Sequence, residues 1–132
     1  MSARREVWLI GADPAFAAVA GRWCAEDGWR MSQMALGDAL ARRRTGGCPD
    51  LQLLDADSTP AAAEAAMLLS LFCEAPLVVA TAALRSAAAF RAAGARMVLE
   101  KSGGSAGLGL LRPGADRFAA LVAACATEPV EP

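Results

Sequence analysis

A repeating beat of short apolar runs, each ended by a turn signal and followed by helical periodicity, constrains this chain more than any other feature. Residues 7–10 (Val-Trp-Leu-Ile), 51–54 (Leu-Gln-Leu-Leu), 77–80 (Leu-Val-Val-Ala) and 97–99 (Met-Val-Leu) are such runs. Near-continuous runs of this kind suit central parallel strands. Successive side chains point to opposite faces of the sheet, so both faces must be covered. Residues 29–34 read as a further strand, placed at an edge by Arg30, Ser32 and Gln33. Helices fill the gaps. Asp13-Pro14 reads as an N-cap with proline in the first helical position, Phe16, Val19, Ala20 and Trp23 recur at helical spacing, and Gly28 stops the helix. A short helix over 38–45 closes at Gly46-Gly47. An alanine-rich helix over 60–74 has Met67, Leu68, Leu71 and Phe72 on its apolar side, and a helix over 86–93 ends at Gly94. A last helix over 116–126 turns Phe118, Leu121, Val122 and Cys125 inward.

Five strand–helix units in this rhythm predict one α/β domain, a doubly wound five-stranded parallel sheet with helices on both faces. The flavodoxin-like strand order 2-1-3-4-5 brings Gly11, Ala12, Asp55, Thr81 and Lys101 to one rim, at the carboxyl ends of the strands where such sheets hold their working groups. With 132 residues, 55% of them hydrophobic and 20% charged, the chain can bury a core without disulfides or metals. The domain is expected over residues 1–126, followed by a Pro/Glu-rich tail or linker over 127–132. Either a single-domain protein or a piece cut from a longer one fits that ending.

Composition removes whole classes of function. A net charge of −1 gives no footprint for nucleic acid or an anionic membrane, and Arg42-Arg43-Arg44 reads as the solvated end of a helix. The absence of histidine rules out Ser-His and Cys-His catalytic pairs. Cys24, Cys48, Cys73 and Cys125 show no metal-ligand spacing and read as buried free thiols of a cytoplasmic protein. Apolar stretches are interrupted by Glu64 and Glu74 before they reach spanning length. The loop Ser102-Gly103-Gly104-Ser105-Ala106-Gly107-Leu108-Gly109 lacks a Gly-Lys-Ser/Thr signature and is read first as an insertion, with anion binding as the alternative.

Three anchors carry a family likeness: Asp55 at the end of Pro49-Asp50-Leu51-Gln52-Leu53-Leu54-Asp55, Thr81 after Pro76-Leu77-Val78-Val79-Ala80, and Lys101 after Gly94-Ala95-Arg96-Met97-Val98-Leu99-Glu100. In this order and spacing the chain resembles the receiver domain of bacterial two-component response regulators (CheY-like), over roughly residues 5 to 126. The resemblance puts Asp55 at the phospho-accepting aspartate and Thr81 and Lys101 at the phosphate-contacting switch positions. It also exposes departures. Gly11 and Ala12 stand where the family carries the acid pair that binds Mg²⁺, Val98 stands at the aromatic switch position, and Ser102 replaces the proline after the lysine.

The resemblance with its departures implies a degenerate, pseudo-receiver type. It is not an enzyme and needs no cofactor; Mg²⁺ binding is expected to be weak or absent, and regulation runs through protein–protein contact. In that reading Asp55 pairs with Lys101 while Thr81 donates a hydrogen bond to it. Asp13 caps a helix, and Asp57 caps the following loop or helix. One form of contact is a homodimer through the last two helices and the fifth strand. Two alternatives stand beside it. One is a phosphorylatable receiver using Asp55, with Asp13 or Asp57 as residual acids rescuing the metal. The other is a module binding a small anion at the Gly-rich loop after Lys101.

Overall fold

The computed structural model describes residues 5–100. Five strands, β1 (Glu6–Ile10), β2 (Arg30–Met34), β3 (Leu51–Asp55), β4 (Leu77–Thr81) and β5 (Met97–Glu100), form one parallel sheet in the order β2-β1-β3-β4-β5. Helices α1 (Pro14–Asp27), α2 (Leu36–Arg44), α3 (Ala62–Phe72) and α4 (Ala87–Ala92) form the crossovers. The expected flavodoxin-like sheet is the observed one, and β2 lies at the edge. The last helix expected over 116–126, the Gly-rich loop and the 127–132 tail lie outside the described residues. Among the described residues no helix is long and apolar enough to cross a membrane.

The two-residue period of the strands divides the core into two. Val7 and Leu9 of β1, Leu51 and Leu53 of β3, and Val78 and Ala80 of β4 pack with Phe16, Ala20 and Cys24 of α1. Trp8 and Ile10, Leu54, and Leu77 and Val79 face the other way, onto Ala39 of α2, Ala65, Ala66 and Leu69 of α3, and Phe90 of α4. Each fully buried aliphatic side chain contributes about 1.5–3 kcal/mol, and a one-residue slip of a central strand would send its side chains to the wrong one of these two packed faces. Gln52 is the polar exception in β3. It is fully buried, and its amide nitrogen donates to the Ala75 carbonyl at 3.0 Å, tying the approach to β4 onto β3.

Helix α1 forms where its sequence signals put it. The Asp13 carboxylate accepts from the Phe16 N–H at 2.7 Å, Pro14 opens the helix, and Gly28 closes it in the left-handed conformation. Helix α3 departs from expectation. Its buried residues are Ala65, Ala66 and Leu69, while Met67, Leu71 and Phe72 are 45%, 71% and 57% exposed. Small alanine side chains let the helix axis approach the sheet closely, and the bulky residues are rotated outward. The thiols also differ from the uniform burial expected of them: Cys24 and Cys73 are buried, whereas Cys48 is exposed.

Candidate functional site

The candidate site lies at the carboxyl ends of β1, β3 and β4, where Gly11, Ala12, Asp55 and Thr81 meet as the sheet order requires. Asp55 is fully buried. One carboxylate oxygen accepts from the backbone N–H of Asp13 and the other from that of Asp57, both at 3.2 Å. The loop after β1 is thereby fastened to the end of β3. Those two donors offset part of the cost of burying a carboxylate, a cost that grows steeply when acceptors go unmatched.

Thr59 occupies the heart of the rim. Its hydroxyl donates to the Asp55 carbonyl at 2.8 Å and sits directly over Gly11. A Cβ on residue 11 would collide with the Thr59 Oγ1. Gly11 also has φ = 74°, in the left-handed region where a side chain is strained. A side chain at position 11 would strain the backbone and displace the Thr59 hydroxyl.

The other two acids have occupations of their own. Asp13 caps α1 as expected from Asp13-Pro14. Asp57 follows Asp55 in a single 3-10 turn spanning Ala56–Ser58, and its carboxylate reaches across to β4. One oxygen accepts from the Thr81 hydroxyl and the other from the Ala82 N–H, each at 2.8 Å. The Thr81 hydroxyl in turn accepts from the Ala83 N–H at 3.0 Å. This corrects two expectations. Thr81 donates to Asp57 rather than to Asp55, and Asp57 caps the loop after β4 rather than its own. The reason is reach: Asp55 is held inward by two backbone amides, while Asp57, two residues on, projects toward the neighbouring strand.

Lys101 lies outside the described residues, so the expected Asp55–Lys101 pairing stays with it. The register β4–β5 sets Thr81 opposite Glu100, the residue before Lys101. Thr59 escaped the sequence reading altogether. A signal was present: glycine at the end of a strand marks a close approach of something else, and Gly11 was read only for the acid it lacks.

The Mg²⁺ of the receiver family does not fit these residues. Magnesium is held by one or two carboxylates at short, near-octahedral distances. Here Gly11 and Ala12 bring no carboxylate, the Thr59 hydroxyl lies where a Cβ on residue 11 would go, and Asp13 and Asp57 are turned to backbone and hydroxyl donors. Among the described residues no group of three or more acids, cysteines or histidines is placed to hold a metal ion.

No protein-family model matches the chain, and no curated protein matches its sequence. Likeness appears in three dimensions. A CheY-like response regulator receiver domain protein from Methanospirillum hungatei JF-1 aligns with a TM-score of 0.72 at 16% identity, over 96% of this chain and 100% of that one. The fold is the receiver fold. A LuxR-family two-component response regulator from Aurantimonas sp. SI85-9A1 aligns at 0.68 with 20% identity, over 92% of this chain and 86% of that chain. A protein assigned to pilus assembly, cpaE, from Burkholderia thailandensis E264 aligns at 0.64 with 19% identity, over 90% and 98% of the two chains. At these identities the receiver likeness is one of architecture, and it carries no side-chain role across.

Proposed function

We propose that this chain is a pseudo-receiver: a regulatory domain of a signalling or transcriptional protein that has kept the receiver fold and acts by protein–protein contact, without Mg²⁺-dependent phosphoryl transfer. One observation carries the reading. Thr59 fills the position from which a metal-binding acid at residue 11 would act, beside a fully buried Asp55. Phosphoryl transfer to a carboxylate needs in-line access for the donor and a cation to neutralise the transferring group. Among the described residues, Gly11 and Ala12 bring no carboxylate to hold that cation, and Asp55 is fully buried.

The latch from Asp57 to Thr81 supports the same reading. In a switching receiver the strand-end threonine must be available to respond to a phosphate. Here its hydroxyl is already spent in a short bond that joins the β3 and β4 loops. The bond holds the loops in one arrangement and removes the two-state element on which a phosphorylation switch depends.

The test is covalent. The full chain is incubated with acetyl phosphate and Mg²⁺ and its intact mass followed. The proposal expects an unchanged mass. A Mg²⁺-dependent phosphoryl adduct that disappears in Asp55→Asn restores the phosphorylatable reading. The contact half of the proposal draws support from Met67, Leu71 and Phe72, large apolar side chains exposed together on α3. A homodimer through the last two helices and β5, elements other than α3, is a second form of contact. Sedimentation across a concentration series separates it from a monomer that binds a different protein.

A further inference from the structure

At the opposite end of the sheet from Asp55, two thiols come together that the receiver reading does not use. Cys48 lies between α2 and β3, and Cys73 is the C-cap of α3. Their sulfur atoms are 3.6 Å apart although 25 positions separate them in sequence. Both backbones are pinned. The Gly47 N–H donates to the Arg42 carbonyl at 2.8 Å just before Cys48, and the Cys73 N–H donates to the Leu69 carbonyl at 3.1 Å. The Gln52 amide holds the Ala75 carbonyl just beyond. The thiols therefore meet because the fold brings them there.

We propose that Cys48 and Cys73 form a reversible dithiol–disulfide site, oxidised by a peroxide and reset by a small-molecule thiol. The two sulfurs have unequal surroundings, and the inequality assigns their roles. Cys48 is exposed and meets the oxidant; Cys73 is buried and resolves. Burial pushes the Cys73 thiol up, while the Ala75 backbone and the nearby Arg43 act in the opposite direction. In the first step the Cys48 sulfur attacks hydrogen peroxide. An S–O bond forms, the O–O bond breaks, one water leaves, and Cys48 becomes a sulfenic acid. In the second step the Cys73 sulfur attacks the Cys48 sulfur. The S–S bond forms, the S–O bond breaks, and the hydroxide takes the Cys73 proton as a second water. Two thiols are oxidised by two electrons and the peroxide is reduced to two waters. Reset by a thiol such as glutathione passes through a mixed disulfide.

The bridge has a place to report. It closes one residue from the exposed Phe72, beside a cavity of about 280 Å³ lined by Leu40, Arg43, Arg44 and Phe72. The Arg43–Glu74 ion pair, at 3.2 Å, spans the same gap between α2 and the end of α3. Oxidation thus links covalently two segments that are otherwise joined there by a weak surface pair.

The experiment uses the full chain, reduced and then exposed to hydrogen peroxide without added thiol. The proposal expects the monomer to lose two hydrogens (about 2 Da), with peptide mapping placing the link between Cys48 and Cys73 and dithiothreitol reversing it. The Cys48→Ser variant, changed at an exposed position, is expected to fold by circular dichroism and to form no intrachain link. Cys73→Ala is expected to stop at the sulfenic acid, trapped by a dimedone-type reagent. Peroxide that leaves both thiols alkylatable overturns the proposal. So does oxidation of Cys48 to the sulfinic acid with Cys73 still free, or a disulfide that maps to Cys24, to Cys125 or between two chains.

Discussion

Gly11 and Thr59 decide the chemistry of the rim between them. Replacing Gly11 by alanine sets a Cβ into a left-handed backbone and against the Thr59 hydroxyl. The strain is worth about 1–2 kcal/mol and the overpacking about 1–3 kcal/mol, so chemical denaturation of Gly11→Ala should show a loss of roughly 2–5 kcal/mol. Thr59→Ala in the same chain removes the steric part and leaves the backbone part. The double-mutant cycle should therefore return a favourable coupling of about 1–3 kcal/mol; strict additivity would contradict the packing of Thr59 over Gly11. Asp57→Ala leaves the Thr81 hydroxyl and the Ala82 N–H without their acceptor and is expected to cost about 1–2 kcal/mol. Cys73 supplies a pH signature. Its thiol is raised in the folded chain by burial, so the unfolded chain gives up that proton first. Stability is then complete below the ordinary thiol range and falls as pH rises from about 9 through the raised value. Cys73→Ala should flatten that alkaline decline.

The elements themselves were open to a reader of the sequence, because each is announced locally. Residues 7–10, 51–54 and 77–80 are apolar on both faces and became central strands; Arg30, Ser32 and Gln33 marked the edge. Asp13-Pro14 and Gly28 bracket α1 with a cap at each end. What stayed hidden is where elements approach one another. On α3 the large apolar residues suggested the inner face, yet the sheet accepts Ala65, Ala66 and Leu69 and leaves Met67, Leu71 and Phe72 outside. Alanine faces are silent in a hydrophobicity pattern because their value lies in closeness. Leu69→Ala should accordingly cost about 2–4 kcal/mol by urea denaturation, whereas Leu71→Ser should stay within about 0.5 kcal/mol. Equal losses at the two positions would contradict the observed rotation of the helix. The same blindness hid Thr59 and the Cys48–Cys73 meeting, both products of long-range approach.

At the scale of the whole molecule, the sheet order delivers residues 11, 55 and 81 to one rim as a receiver does, and bonds from Thr59 and Asp57 tie the neighbouring loops together there. Architecture and chemistry have separated: solved receivers at 16–20% identity share the first, and the second is set by a handful of loop bonds. Those bonds fasten the β1 loop to Asp55, the Thr59 hydroxyl to the Asp55 carbonyl beside Gly11, and Asp57 to Thr81. The most direct test is an amide NMR titration of the full chain with Mg²⁺ followed by beryllofluoride. The account predicts that the resonances of Ala12, Asp55, Asp57 and Thr81 stay in place at millimolar Mg²⁺ and after the phosphoryl mimic is added. Saturable shifts at those residues that are abolished by Asp55→Asn would contradict it.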